Sequence, residues 1–262
     1  MLHNHCEFLI CPICRKLLNK VDFSLVCDNK HCFDIAKESY VNLLPAQHKK
    51  SKNPGDNRTM IRCRKNFLNK AYYQFLIPEI ISLIQQHQDA PIPLNFLDSG
   101  CGEGYFIDEI ERQLDLPANY YAMDISREAI RLAARRNKNI CWFVASSNNI
   151  PIQDCTLDVV LKINAPINYL NIKNKLSANA FVISITPGEQ HLEKLRELMY
   201  LKPTTHKQES VPDGFIVLQN TQIKAQLSLS DTQDIHNLFK MTPYYWNASS
   251  EAKKKHPQPG IT

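Results

Sequence analysis

Glycine is scarce in this chain. Of seven glycines in 262 residues, three (Gly100, Gly102 and Gly104) crowd into the stretch LDSGCGEGYF at 97–106. A long apolar run is missing as well. No stretch approaches the roughly 20 apolar residues of a membrane span, so no membrane partner is expected. The opening MLHNHCEFLICPIC lacks the basic start of a secretory leader. Nor is there a strong charge of one sign: 31 Lys and Arg against 26 Asp and Glu leave +5, which permits a nucleic-acid partner without arguing for one. Nine cysteines, an odd number in a chain without a leader, argue against a disulfide framework. In a reducing cytoplasm they need another use, as metal ligands, packing residues or catalysts.

Four of the ligand candidates stand at metal spacing. Cys11-Pro-Ile-Cys14 is followed by Cys27 and His31, giving C-x2-C-x12-C-x3-H. A C-x2-C turn aims two thiolates at one ion, and a second pair after a short excursion completes a tetrahedral zinc site. Residues 15–26 read as a hairpin between the pairs. Such a segment has too little core to fold alone, so the ion supplies much of its folding energy. Four protein ligands leave no open position, which makes the site structural. Cys32 is an alternative to His31 on spacing alone. Cys6, Cys63, Cys141 and Cys155 have no partner at ligand spacing and read as small apolar residues.

The clustered glycines have a local reason. The run PIPLNFLD before them reads as a buried strand, and YFIDEIERQL after them carries apolar residues at helical spacing. Strand, glycine turn and helix open a nucleotide-binding α/β unit, in which the helix N-terminus faces an anion. The third glycine falls one residue early for a dinucleotide site. The resulting G-x-G-x-G, preceded by Asp98, resembles the first motif of class I methyltransferases that use S-adenosylmethionine. Asp124, at the end of the strand in ANYYAMDIS, is placed to take ribose hydroxyls. Ser126 reads as the N-cap of REAIRLAARR. ICWFVASSNNIP brings Ala145 and Ser146 toward an adenine, and TLDVVLKI and AFVISITPG continue the alternation. The fold class is α/β, a Rossmann-like, mainly parallel sheet with a small N-terminal zinc-binding domain.

Taken together, CPIC…C…H, the block FDIAKESYVNLLPAQHKKSKNPGDN, then LDSGCGEGYF, MDIS, VASS, ITPGEQHL and MTPYYW resemble the bacterial 23S rRNA (guanine-N1-)-methyltransferases, from about residue 11 to 246. The resemblance implies a zinc-binding RNA-recognition domain at 1–45, a basic linker and helix start at 46–70, and an S-adenosylmethionine-dependent methyltransferase domain at 71–262. It also implies methylation of N1 of a guanine in a hairpin loop of 23S rRNA. One structural zinc would sit on Cys11, Cys14, Cys27 and His31, which favours His31 over Cys32. Cofactor contacts would fall on Tyr73, Gly102, Glu103 and His191, beside Asp98, Gly100, Asp124 and Ser146 from the motif reading. No catalytic residue is assigned, although Asp154, Asn164 and His191 are candidates to take the N1 proton. A homodimer is compatible with this reading.

Several stretches depart from the pattern. Ser39 and Ser99 stand where the family has glycine and an apolar residue, and Asn164 stands where a tyrosine precedes Ala-Pro. After MTPYYW the text NASSEAKKKHPQPGIT holds no strand pattern, so the last strand of the sheet is expected to be missing and edges to be left unpaired. Two rival readings follow: a zinc- and RNA-binding relic that no longer holds S-adenosylmethionine, and a small-molecule methyltransferase on the same fold. The basic segment 48–65 is expected to grip RNA. Tyr244, Tyr245 and Trp246 read either as a base-stacking platform or as core.

Overall fold

The structure, a computed structural model, describes residues 6–48, 54–88, 93–199 and 209–247. It divides into two compact units. One comprises the chain up to Asn57 together with Ile77–Ile185; the other comprises Arg58–Leu76 and the chain from Thr186 on.

The first unit opens with three short antiparallel strands, β1 (Asn19–Val21), β2 (Ser24–Val26) and β3 (Cys32–Asp34). Strand β4 (Tyr40–Asn42) follows, then α1 (Arg58–Leu68) of the second unit and α2 (Leu76–His87). The alternation expected from the sequence comes next: β5 (Leu94–Ser99), α3 (Tyr105–Gln113), β6 (Ala118–Asp124), α4 (Arg127–Arg136), β7 (Cys141–Val144), β8 (Leu157–Ile163), α5 (Tyr169–Lys173) and β9 (Leu176–Ile185). The large sheet has the order β4-β7-β6-β5-β8-β9, and each adjacent pair is parallel. The chain leaves β5 toward β6 on one side and returns to β8 on the other. The C-terminal end of β5 is therefore the switch point, where ligands bind in open α/β sheets.

Parallel strands are covered on both faces, so they are apolar almost throughout. Cys141–Val144 is wholly buried, as are Leu157–Lys162. Helix α4 buries Ala129, Ile130, Ala133 and Ala134 on one face and carries Arg135 and Arg136 in its last turn. Its Ser126 N-cap accepts from the Ala129 N–H at 3.3 Å, as the sequence predicts.

Strand β4 was not expected. Tyr40–Asn42 lies within the stretch assigned to the zinc-binding domain, yet it pairs with Trp142–Val144 as an edge strand of the large sheet. The cysteines also need a correction. Cys6 and Cys141, read from sequence as separate apolar residues, are joined as a disulfide with Cα atoms 5.9 Å apart. Their separation of 135 residues carries no local spacing signal.

The second unit holds α1, α6 (Glu193–Met199), α7 (Thr232–Met241) and α8 (Pro243–Asn247). Asp231 caps α7 by accepting from the Gln233 N–H at 2.8 Å. Lys70 reaches both Asp231 and the buried Asp234, at 3.1 and 2.6 Å. Between α6 and α7 runs a segment with alternating apolar residues, Ile223, Ala225, Leu227 and Leu229, that forms no strand; Ile216 is 82% exposed and Leu218 58%. In the large sheet, β9 pairs only with β8 among the described residues. The stretch 248–262, on which the missing strand was argued, lies outside the described residues.

Candidate functional site

The C-terminal edge of the sheet collects most of the residues named from sequence. Asp98 and Ser99 end β5, and Asp98 stands in register with Ala122 of β6 and Leu161 of β8. The loop 100–104 turns there through positive φ at all three glycines, 84°, 57° and 84°. Two of them are also forced by contact. A Cβ on Gly100 would overlap the Cβ of Ala165 in the loop after β8, and one on Gly104 would come within 2.6 Å of the Trp142 ring. Gly100→Ala is accordingly expected to destabilise the protein by about 2–4 kcal/mol, from the left-handed backbone and the overlap together. A melting temperature equal to the parent's would contradict this.

Asp124 closes over the loop. Its Oδ2 accepts from the Gly102 N–H at 3.0 Å, and its Oδ1 accepts from the Ser126 N–H at 2.7 Å. Neighbouring β7 ends beside it: the Ala145 N–H donates to the Asp124 carbonyl at 3.1 Å, which sets Ser146 next in line along the same edge. Asp98 is fully enclosed. Burial, with the Asp124 carboxylate nearby, pushes its carboxyl up to about 8. The Ser99 hydroxyl is also buried, with no hydrogen-bond partner among the described residues. Two carboxylates and an unsatisfied hydroxyl behind a loop of backbone N–H groups suit a ligand carrying hydroxyls and a positive charge.

Glu103 is used differently from what its place in the motif suggests. Its carboxylate is buried and paired with Arg136 of α4, whose guanidinium also lies over the Tyr105 ring at 5.8 Å. The side chain thus anchors the loop to α4, and its backbone is what remains on the ligand side.

In the second unit, Tyr73 and His191 meet. The Tyr73 hydroxyl and His191 Nε2 share a hydrogen bond of 3.1 Å. Burial, with Tyr244 nearby, raises the Tyr73 hydroxyl to about 12, so it keeps its proton. From sequence alone these two look like a core residue and a surface helix residue, 118 positions apart. Tyr245 and Trp246 pack within the unit: Tyr245 lies edge-on to Phe239 at 5.1 Å, and the Trp246 N–H donates to the Lys240 carbonyl at 2.9 Å. This favours the core reading of the aromatic run.

The candidates for proton acceptor separate. Asn164 follows β8 at the C-terminal edge, with a left-handed φ of 50°, and its N–H donates to the Ile185 carbonyl at 2.9 Å. Asp154 instead precedes β8, a strand of seven residues, and so lies roughly 20 Å away at the opposite edge. It is paired there with the buried Lys175. Asp154 therefore leaves the list of candidates.

The sequence reading missed one contact at this edge. The turn at Gly55 and Asp56, read as linker, packs on the residues after β6: the Ser126 hydroxyl donates to the Asp56 carbonyl at 3.5 Å, and a Cβ on Gly55 would lie 3.0 Å from the Ile125 side chain. Pro54-Gly55-Asp56 was a visible turn signal, but nothing local said what it packs against.

The metal cluster forms as spaced. The ligand atoms of Cys11, Cys14, Cys27 and His31 all lie within 4.8 Å of one another. Cys11 Sγ to His31 Nδ1 is 3.4 Å, Cys14 Sγ to Cys27 Sγ 3.5 Å, and Cys27 Sγ to His31 Nδ1 3.5 Å. A tetrahedral zinc site has edges of roughly 3.5–3.8 Å, from ~2.3 Å Zn–S and ~2.0 Å Zn–N bonds. The residues fit one zinc. The Lys16 backbone N–H holds the Cys14 thiol down to about 6, and burial raises that of Cys11. Cys32 lies on β3, exposed and outside the cluster, which resolves the alternative in favour of His31.

Comparison with known proteins agrees with this geometry. Residues 9–52 match the zinc-ribbon family profile described as RlmA, N-terminal, and residues 96–188 match the profile described as Methyltransferase domain. A protein of Streptomyces fradiae named 23S rRNA (guanine(748)-N(1))-methyltransferase is 26% identical over 269 aligned positions, covering 100% of this chain and 94% of its own. A Bacillus subtilis protein, YxjB, named for the same class of reaction, is 27% identical over 92% of this chain and 88% of its own. The chain is thus similar to a zinc ribbon over its first part, to a methyltransferase domain over its middle, and along its length to relatives named as 23S rRNA (guanine-N1-)-methyltransferases.

Proposed function

We propose that this protein transfers a methyl group from S-adenosylmethionine to N1 of a guanine in a hairpin loop of 23S rRNA. The observation that carries the reading is the pairing of a four-ligand zinc ribbon with a glycine loop held between Asp98 and Asp124 at the switch point of one sheet. S-adenosylmethionine, when bound, supplies a methyl group on a positively charged sulfur. Asp124 would hold the ribose hydroxyls, and Ser146 would lie toward the adenine. Asp98 would face the ammonium of the methionine portion, and the N–H groups of the 100–104 loop would face its carboxylate. Tyr73 and His191 are proposed as further contacts, with Glu103 contributing through its backbone.

The reaction would form a bond from guanine N1 to the methyl carbon as the methyl–sulfur bond breaks; the electron pair of that bond stays on sulfur, S-adenosylhomocysteine leaves, and the N1 proton is released. In a duplex that proton lies inside a base pair, so the base must be unpaired; a loop makes this inexpensive. Holding N1 in line with the methyl supplies much of the rate. The test is methyl transfer to a 23S rRNA hairpin fragment, free or annealed to its complement. Transfer to the free loop and loss on annealing is expected; equal transfer to both would contradict loop recognition.

The basic segment 48–65 is proposed to track phosphates. Lys49, Lys50 and Lys52 lie outside the described residues; the support is the charge of the segment. Changing all three to Ala should reduce the slope of log affinity against log salt by about 2, at roughly 0.7 per phosphate contact on single strands. An unchanged slope would remove this segment from the interface.

A further inference from the structure

The zinc ribbon ends in an aromatic that the protein leaves uncovered. Strands β1 and β2 pair from Asn19↔Val26 to Val21↔Ser24, which leaves a two-residue turn, Asp22-Phe23. Asp22 adopts the left-handed conformation such a turn requires, with φ of 51°. The Phe23 carbonyl accepts from the Ile35 N–H at 2.8 Å, so the third strand pins the turn from the side. The Ser24 hydroxyl adds a bond of 3.1 Å to Asp34 on that strand. On this fixed apex the Phe23 side chain is 83% exposed, the most exposed large apolar residue among those described. Ile13, Leu17 and Val21, elsewhere on the ribbon, are each about half exposed, at 53%, 46% and 52%.

An aromatic held out on a short hairpin gains nothing for the fold. Leu18 and Leu25 are buried in the ribbon, and Phe23 is not. The surrounding charge is of the sign that suits a polyanion. From Arg15 to Lys37 the chain has five basic residues (Arg15, Lys16, Lys20, Lys30, Lys37) against three acidic ones (Asp22, Asp28, Asp34). Arg15 is bonded to Asn149, Lys16 lies 3.9 Å from Asp28, and Lys20, which also has a contact of its own, sits on β1 opposite Leu25. An exposed ring with interleaved lysines is the arrangement that binds single-stranded nucleic acid, because every base has a face to stack and every nucleotide a phosphate.

We propose that Phe23 stacks on an unpaired base of the RNA substrate, with Lys20 of β1 drawing the backbone to the ribbon. The inference rests on the rRNA reading above and assigns it a contact. The base is one that the ribbon reaches, taken to be other than the methylated guanine, since Phe23 belongs to the three-stranded sheet and the 100–104 loop follows β5 of the six-stranded one. Stacking is insensitive to base identity, so Phe23 would contribute affinity and orientation in preference to sequence readout.

The test uses the full chain, zinc-loaded, and in vitro transcribed 23S rRNA. Phe23→Ala should weaken RNA binding about 5- to 100-fold and raise the KM for RNA to match. It should leave zinc content, S-adenosylmethionine affinity and kcat near the parent's, since the side chain touches neither site. Phe23→Leu should behave like Ala, whereas Phe23→Trp should restore binding and show indole quenching when RNA is added. Full affinity in both the Ala and Leu variants would overturn the proposal. So would full affinity in Leu alone, or a change in oligomeric state in place of RNA affinity, which would mark the apex as a protein-docking surface. If the parent protein itself neither binds nor methylates 23S rRNA, the functional reading fails and the proposal falls with it.

Discussion

Removing the ribbon's zinc, or replacing Cys14 by Ser, is expected to unfold residues 11–35 while leaving the large sheet folded. The ribbon's three strands are three residues each, and beyond Leu9 and Ile10 at its base its enclosed side chains are few: Pro12, Leu18 and Leu25 besides the ligands Cys11 and Cys27. Apolar burial on that scale does not offset the chain entropy of ordering the segment. Structural zinc in comparable small sites contributes about 10–16 kcal/mol, far more than any other single contact in the ribbon. The segment is tied to the rest of its unit at its base, through the Leu9–Ile152 bridge and the Ile10 N–H to Pro151 carbonyl bond of 2.9 Å. Unfolding should therefore stop there. Chelation should release one zinc per chain, open the ribbon to protease, abolish RNA binding and spare S-adenosylmethionine binding. Retained protease resistance after full zinc loss would contradict the structural role.

Asp98→Asn should weaken S-adenosylmethionine binding roughly 10- to 100-fold, the size of a charge-assisted bond lost from an enclosed site. The pH dependence gives the prediction a sign. Burial, with Asp124 nearby, lifts the Asp98 carboxyl to about 8, so without ligand it is protonated at neutral pH. An ammonium partner favours the ionised form, so binding must displace that proton below pH 8. Affinity should climb between pH 6 and 8, by at most about tenfold per pH unit. It should fall again where the ligand's amino group loses its own proton, ordinarily near about 8. In the Asn variant the acid limb should be flat. The same raised pKa costs the ligand-free fold stability as pH rises from the unfolded value of 3.8 through 8. Asp98→Asn should therefore melt higher than the parent at pH 8 without ligand, although it binds more weakly. A variant that binds normally, or keeps the acid limb, would remove Asp98 from the ammonium site.

What could be read from sequence was whatever local periodicity or short spacing encodes. The Leu94–Ser99 strand, the glycine turn and the α3 helix are adjacent in the chain, and the apolar run, the breakers and the 3.6-residue spacing each mark their own element. Cys11, Cys14, Cys27 and His31 lie within 21 residues, so their spacing alone suggested a shared ion. Gly100 was legible as a turn, but the reason no other residue fits is Ala165, which no local pattern connects to it. The same holds for Cys6 with Cys141, for Tyr73 with His191, and for the Gly55 turn against Ile125. Strand β4 is only three residues long and is a strand because Trp142–Val144 offers it an edge. Its sequence signal is too short to separate from the turn before it. Glu103 shows the reverse case: the motif position was right, but Arg136, a helix away, decides where the carboxylate goes.

The measurement that bears most directly on the central claim is primer extension on unmodified 23S rRNA after incubation with the purified protein and S-adenosylmethionine. A methyl at guanine N1 blocks Watson–Crick pairing and halts reverse transcriptase. One new stop is expected at a guanine in a hairpin loop, dependent on S-adenosylmethionine, weakened by Asp98→Asn at limiting donor and lost on zinc removal. No new stop, in an assay where a relative of the family produces one, would contradict it and leave a protein that binds zinc and RNA without methylating.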